Sequence, residues 1–457
     1  MIRALSDYYR LPAGLFSGIA SNSDSASAEA GFFQFSGSVC YGRNRTGVSA
    51  NVAGSGQFDA AKDVRCNGQA LQLPFEFAEV IDNLRMERYQ RKMTPGRKSF
   101  AASEPVRRVY YFLREWLPVW VRRQLQQVYL RDWKELPFPI WPVDFTVDAL
   151  HEKFLRLAME TSGTKKVPFI WFWPEGAPNC LIMTHDVETS AGRDFTPTLM
   201  QLDARYGIKA SYQVVPEERY LVPAEYAQQI RDGGCEFNVH DLSHDGRLYQ
   251  AKKMFLQRAG KINEHIKKFN ARGFRAGVMY RNLDWYGAYE FSYDMSVPSV
   301  AHLEPQRGGC CTVMPFFVGN VLELPLTTTQ DYSLFYILND RTIDLWKTQL
   351  EIIRQKNGLM SFIAHPDYLI NSRNRKVYES LLAYLQQMVA REKIWATLPG
   401  DVDRWWRARA QMQLVPCESG WEIVGPEKER ARLAYAVLDG DRVTYEIAGP
   451  AREKVRG

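Results

Sequence analysis

Between Pro168 and about Trp406 the sequence alternates short stretches of strand character with longer stretches of helical periodicity. Strands are expected at Leu181–Asp186, Lys209–Val215, Cys235–His240, Gly273–Ala276, Phe291–Asp294, Val313–Val318, Val321–Leu326, Leu359–His365 and Ile394–Leu398. Between many of them lie helical patterns at Pro197–Tyr206, Pro223–Asp232, Gln250–Phe269, Arg341–Gln355 and Arg373–Ala390. Gly207, Gly233 and Gly358 stand where helices commonly end. Strand alternating with helix builds a parallel sheet covered by helices, and about seven repeats close such a sheet into a barrel.

At 457 residues the chain exceeds the usual size of one domain, so additions are expected on both sides of the barrel. The reading divides it into an N-terminal α+β extension over 1–165, a catalytic barrel over 166–408 and a small β appendage over 409–457. Within the extension, 21–30 is rich in Ser, Ala, Asn and Asp and reads as a linker. Phe32–Val52 reads as short strands and turns, Phe75–Gln90 as a helix, and Arg91–Ala102 as a basic loop. Val106–Val128 reads as a helix carrying Tyr110, Trp116 and Trp120 among several arginines. A basic helix with tryptophans admits peripheral contact with an anionic membrane surface through 106–128. The preferred reading is a helix packed on the barrel with its arginines reaching to water. Pro137, Pro139 and Pro142 mark a rigid connector before a helix at Val147–Glu160. After Trp406, Leu414–Val424 and Leu433–Ile447 alternate like paired strands, with Asp439, Gly440 and Asp441 at a turn.

Composition removes several function classes. A formal charge of +6 over 457 residues is too dilute for a nucleic-acid binder. No apolar run approaches the 18 or so residues of a membrane-spanning helix, and the N-terminus lacks the pattern of a signal peptide, so cytoplasmic residence is expected. Seven cysteines without a Cys-x-x-Cys spacing fit neither a disulfide framework nor a zinc ribbon, and the adjacent Cys310 and Cys311 read as part of a packed turn.

The chemistry gathers at strand ends. Leu181–Glu188 is an apolar run ending in Thr184, His185, Asp186, Val187 and Glu188. Residues two apart on a strand point the same way, so Asp186 and Glu188 are expected on one side and His185 and Val187 on the other. One carboxylate can then hold a metal while the other stays free as a base. His240 and His244 come four apart, just after a second apolar stretch, Cys235–Val239, and, if on one helical face, can bind one ion. Two His and one carboxylate is a common catalytic zinc set, with Glu188 the carboxylate. His365 and Pro366 end a further run. Asp186, His240, Arg275 and His365 all fall at C-terminal strand ends, where barrels carry their chemistry. For Asp186 and Glu188 the plain alternative is capping or salt bridging, and for Arg275 and Asp294 an ordinary ion pair.

Over roughly Pro178–Pro399 the order of motifs resembles that of the polysaccharide deacetylases sharing the catalytic domain of the nodulation chitooligosaccharide deacetylases, carbohydrate esterase family 4. Thr184–Glu188 is similar to the first motif in its His-Asp-Val-Asp variant, and His240, Asp241, Leu242, Ser243 and His244 to the His-x-x-x-His second motif. Gly273–Gly277 resembles the third, Tyr293–Ser296 the fourth, and His365 with Pro366 the fifth. The resemblance implies a distorted (β/α)7 barrel, Glu188, His240 and His244 as ligands of a divalent metal, Asp186 as base and His365 as acid. Arg275 would orient Asp186, and Asp294 would steady His365. Zinc is the first expectation for the metal, with cobalt, nickel or manganese as alternatives. The chain departs from the pattern at Glu188, where Asp is usual, after Arg275, where Ala276, Gly277 and Val278 replace x-Pro-Tyr, and in the fourth motif, which lacks its tryptophan. His185 reads either as support for the site or as a packed histidine. Between Glu304 and Asp331 lies a segment resembling stretches of bacterial relatives of the His-Asp-Val type.

The expected function is therefore a metal-dependent hydrolase removing an N-acetyl or other small N-acyl group from a saccharide or saccharide precursor, with metal-activated water, an Asp base and a His acid. The alternatives are a non-sugar C–N hydrolase of allantoinase-like kind on the same fold, and a glycan-binding or scaffold protein with a vestigial site.

Overall fold

The computed structural model describes residues 2–16, 29–54, 56–67, 70–92, 119–418 and 420–449. Most of the expected linker, the basic loop from 93 onward and the aromatic helix up to 118 lie outside these residues. The chain forms two compact units that interleave: 1–84, 146–178 and 404–457 make one, and 85–145 with 179–403 make the other. The sequence reading cuts the chain consecutively at 165 and 408. It expects the 106–128 helix to pack on the barrel, but not that the described residues on either side of it, 85–92 and 131–145, belong to the barrel unit or that 146–178 returns to the first unit.

The second unit is built on one nine-stranded sheet. In chain order its strands are β1 Cys180–Val187, β2 Ala210–Val214, β3 Glu236–His240, β4 Gly273–Arg275, β5 Tyr293–Asp294, β6 Phe316–Val318, β7 Val321–Glu323, β8 Leu359–Ile363 and β9 Trp395–Ala396. Every expected strand is present. Their order is β6-β7-β5-β4-β3-β2-β1-β8, with β9 on the start of β1. All pairs are parallel except β6 with β7, a hairpin turning at Gly319 (φ +60°) where the alternation predicts parallel strands. Its loop is far too short for the crossover that a parallel pair requires.

The sheet curls, and the remaining edge of β8 is satisfied by side chains. Thr327 Oγ1 donates to the Leu359 carbonyl at 2.7 Å and accepts from the Ser361 N–H at 3.0 Å, while Thr328 Oγ1 donates to the Ser361 carbonyl at 2.7 Å. Two hydroxyls thus do what a further strand would do for buried backbone groups. Helices Ser190–Arg205, Ala224–Asp232, Lys252–Lys268, Asp344–Arg354 and Ser372–Glu392 cover the sheet. Leu199, Ile230, Ile262, Leu350 and Leu382 pack against Met183, Val214, Val239, Phe274 and Phe362 in one core. This is the α/β barrel architecture expected. The first helix begins well before Pro197 because Thr189 caps it, accepting from the Gly192 N–H at 3.2 Å, which leaves the proline inside the helix.

In the other unit, Leu433–Asp439 pairs antiparallel with both Arg442–Ile447 and Lys166–Ile170. The expected C-terminal strands are there, and the pairing with Lys166–Ile170 draws 146–178 into this unit. Gly31–Phe35 and Ser38–Gly42 form a hairpin through Ser36 and Gly37, both at positive φ. Arg409 is buried and donates to the carbonyls of Ile170, Trp171 and Tyr8 at 2.8, 2.9 and 3.1 Å.

Beneath the barrel, Glu236 at the start of β3 accepts from the Tyr293 hydroxyl and the Gly400 N–H, both at 2.9 Å. Burial pushes its carboxyl from 4.5 up to about 7. The folded state therefore holds a proton that the unfolded state loses between pH 4.5 and 7, so this group's stabilising contribution is complete below pH 4.5 and declines up to pH 7. Glu236→Gln is expected to flatten that part of the pH-stability curve, measured by urea unfolding at intervals from pH 4.5 to 8. An unchanged slope in the variant would refute the assignment.

Candidate metal centre

The end of β1 is buried throughout, and it delivers Asp186 and, just past its last residue, Glu188 to the same side. The end of β3 delivers His240. The five residues His240–His244 do not form the helical turn that would put the two histidines on one face. Asp241 and His244 instead take left-handed conformations (φ +56° and +52°), which bring the two imidazoles to 4.8 Å. Arg219 holds this loop, donating to the carbonyls of Ser243 at 3.2 Å and His244 at 2.7 Å. Gly277 lets another loop approach it, since a Cβ there would fall 2.4 Å from Asp241 Oδ2 and 2.9 Å from a His244 ring carbon.

Glu188 Oε1 lies 3.1 Å from His244 Nε2, 3.9 Å from His240 Nε2 and 3.6 Å from His365 Nε2. Glu188, His240 and His244 each offer one donor atom, all within 4.8 Å of one another. His240 Nδ1 sits 3.1 Å from the Arg275 carbonyl oxygen, an acceptor only, so this nitrogen carries the proton and Nε2 presents its lone pair. That Nε2 is buried with no hydrogen-bond partner among the described residues. A buried, unpartnered lone pair beside a carboxylate and a second imidazole fits a divalent cation, and the two-His, one-carboxylate set suits zinc-like ions.

Asp186 approaches the same nitrogen, with Oδ2 3.8 Å from His240 Nε2. Its Oδ1 accepts from Arg275 Nη1 at 2.6 Å, and Arg275 is fully buried. Burial alone would raise the Asp186 carboxyl, but Arg275, His240 and His365 outweigh it and hold it below its usual value. Burial likewise opposes the charge on Glu188, and His244 with the neighbouring imidazoles drives that carboxyl well down.

His365 is held by a partner the sequence reading missed. Its Nδ1 lies 2.6 Å from Asp331 Oδ1, and its backbone N–H donates to Asp331 Oδ2 at 2.8 Å. Burial pulls the imidazole toward neutrality, but Asp331 and then Glu188 raise it well above its ordinary value. Asp294, expected to steady His365, does not. It accepts instead from the Tyr286 hydroxyl at 2.7 Å and from the Ser296 hydroxyl at 2.7 Å, beneath the third motif. The fourth-motif aspartate lies on β5, whereas Asp331 follows β7 in a loop beside β8. A lone aspartate in a loop with no motif spacing gave no sequence signal.

Two further groups complete the surroundings. His185 is buried, with Nδ1 2.8 Å from the Ala364 carbonyl and Nε2 2.9 Å from Asp203 Oδ2, whose other oxygen accepts from Tyr378 at 2.7 Å. It therefore ties β1 to the peptide preceding His365. Asp367 accepts from the Glu188 N–H at 3.3 Å and from the Thr189 hydroxyl.

No family model and no curated protein matches the sequence. Among solved structures the chain is similar to a Mycobacterium smegmatis protein described as a polysaccharide deacetylase, at 16% identity over 52% of this chain and 93% of that one, with a TM-score of 0.42. It is also similar to a peptidoglycan deacetylase of Bacillus subtilis, at 12% identity over 50% of this chain and 92% of that one, TM-score 0.32. A third is a chitin deacetylase of the fungal pathogen Colletotrichum lindemuthianum, at 10% identity over 50% of this chain and 88% of that one, TM-score 0.32.

The donor set makes a prediction independent of any substrate. Protein dialysed against zinc and then freed of excess is expected to retain about one ion per chain by elemental analysis. His240→Ala and Glu188→Ala, with unchanged far-UV circular dichroism, are expected to lose most of it. Equal retention in wild type and both variants would rule this centre out.

Proposed function

We propose that this protein is a metal-dependent amide hydrolase of the carbohydrate esterase family 4 type, removing an N-acetyl or similar small N-acyl group from a saccharide. What supports the reading is the convergence, at the C-terminal ends of β1, β3, β4 and β8, of a three-donor cation pocket between a charged carboxylate and a charged imidazole. An ion held by Glu188, His240 and His244 would supply the positive charge that acidifies a water and polarises the amide carbonyl.

The remaining chemistry belongs to the side chains. Arg275, at 2.6 Å, keeps Asp186 ionised and aimed, so Asp186 can take the proton of a water attacking the acyl carbon. His365, held charged by Asp331 at 2.6 Å, carries the proton that the departing nitrogen needs as the C–N bond breaks. Acetate and a free amino sugar leave. Base and acid thus start in the protonation states that the reaction consumes, which is the arrangement expected where two titratable groups have their pKa values driven apart.

The test is acetate release from a panel of N-acetylated sugars and oligosaccharides, by wild type and His240→Ala. Release lost in the variant supports the reading. Release only from a non-sugar amide would transfer the same chemistry to another substrate, and metal binding without any amide hydrolysis would leave a binding protein. Asp331→Asn is expected to lower kcat by about 10²-fold, the usual scale of a positioned acid or base, with metal content unchanged. Full activity in Asp331→Asn would remove His365 from the role of acid.

A further inference from the structure

Immediately after His365 the chain makes one helical turn, Pro366–Leu369. Within it the main chain of Tyr368 is held at both ends: its N–H donates to the His365 carbonyl at 3.0 Å, and its carbonyl accepts from Asn374 Nδ2 at 3.0 Å. The half-buried ring packs on the His365 imidazole, centroids 4.9 Å apart and planes tilted by 45°. Tyr332 and Tyr336 pack against it at 5.5 and 5.3 Å.

These two rings are themselves fixed by a helix far from them in the chain. The Tyr332 hydroxyl is hydrogen-bonded to Gln126, and the Tyr336 carbonyl accepts from Gln127 Nε2 at 2.8 Å, both on helix Val119–Leu130. Asn374 Nδ2 donates to the Tyr336 hydroxyl at 3.2 Å. Tyr332 and Tyr336 flank the π-helical turn Ser333–Ile337, or lie in it, a geometry often met at functional sites. The shelf is therefore rigid, and one polar group on it is left over: among the described residues, the Tyr368 hydroxyl has no hydrogen-bond partner. The ring lies on His365, whose Nε2 is 3.6 Å from Glu188 Oε1, so the phenol stands beside the cation pocket, and burial keeps its proton on.

A fixed aromatic face with a free hydroxyl suits a saccharide ring, whose C–H face covers the tyrosine while its oxygens accept from the phenol. We propose that Tyr368 contacts the substrate directly, its ring forming a wall for the sugar beside His365 and its hydroxyl donating to a sugar oxygen. Tyr332, held by Gln126, is the positioning residue behind it. The inference rests on the saccharide deacetylase reading, and it gives the 119–130 helix a part in shaping the site.

The experiment compares zinc-loaded wild type, Tyr368→Phe, Tyr368→Leu and Tyr332→Phe. It measures kcat/KM on an N-acetylated chito-oligosaccharide and, by calorimetry, Kd for its free-amine counterpart, with Tm and zinc content as controls. Loss of one substrate hydrogen bond predicts that Tyr368→Phe weakens both kcat/KM and Kd by about tenfold at wild-type Tm and zinc content. Tyr368→Leu should lose more, and Tyr332→Phe less. Wild-type values in Tyr368→Phe would overturn the hydroxyl contact, and they would do so even if Tyr368→Leu were impaired, because that pattern means ring packing alone. If wild type binds the free-amine sugar but releases no acetate, the deacetylase reading fails while the Kd comparison still decides the contact. If wild type binds neither sugar, the contact is overturned as well.

Discussion

A buried cation must be paired, and Arg275, fully buried at the barrel rim, is such a cation. Its Nε donates to the Met295 carbonyl at 2.9 Å, and Nη1 donates to Thr184 Oγ1 at 2.8 Å and to Asp186 at 2.6 Å. Its own carbonyl accepts from the Asp241 N–H at 2.8 Å and faces His240 Nδ1 at 3.1 Å. One residue thereby sets the carboxylate at the end of β1, the tautomer of the imidazole at the end of β3, and the chain leaving β5. Breaking a buried pair of this kind costs about 3–5 kcal/mol, mostly because the surviving charge is stranded. Geometry that is expensive to disturb is what a site needs if its groups are to meet a substrate already in place.

Two carboxylate–imidazole pairs repeat the device on either side of β8. Asp331 fixes His365, and Asp203 with Tyr378 fixes His185, whose other nitrogen reaches the Ala364 carbonyl. Asp186 and His365 flank the pocket from neighbouring strands, and the His185 bond holds those strands in register where the two residues emerge. The adjacent pairs Phe362–Met183 and Ile363–Thr184 belong to the ladder between these two strands. Small shifts there would move Asp186 and His365 relative to each other, so the packed His185 bears on their spacing without entering the pocket.

The loops carry the remaining burden, and described residues within 85–92 and 119–145 hold one of them. Tyr89 donates to the Gly309 carbonyl at 2.6 Å, Gln90 to the Arg307 carbonyl at 2.7 Å, and Tyr129 to the Pro305 carbonyl at 3.1 Å. Glu87 pairs with buried Arg281 and accepts from the Gly309 N–H at 2.6 Å. Gly309 (φ +142°) is required because a Cβ would strike the Ser299 carbonyl oxygen at 2.2 Å. Cys310 and Cys311 follow, buried and unlinked, as members of this packed turn. The second of these stretches, through Gln126 and Gln127, steadies the tyrosines beside His365.

Local pattern along the chain encodes the alternation of strands and helices, hence the parallel sheet, and places Asp186, Glu188, His240, Arg275 and His365 at strand ends. Those properties depend on periodicity and on neighbours within a few residues, which a sequence displays. What it could not display is which distant groups meet. Asp294 and Asp331 are equally ordinary aspartates, and only the position of the loop after β7 beside β8 decides that Asp331 takes His365. Left-handed turns at Asp241 and His244, rather than a helix, bring the histidines together, because Gly277 lets another loop press against them. The interleaving of the two units has the same origin: Lys166–Ile170 pairs with a strand some 270 residues later, a contact that no local pattern encodes. Strand ends were legible because they are local; their partners were decided in three dimensions because burial leaves each charge only the counter-charge that folding brings within reach.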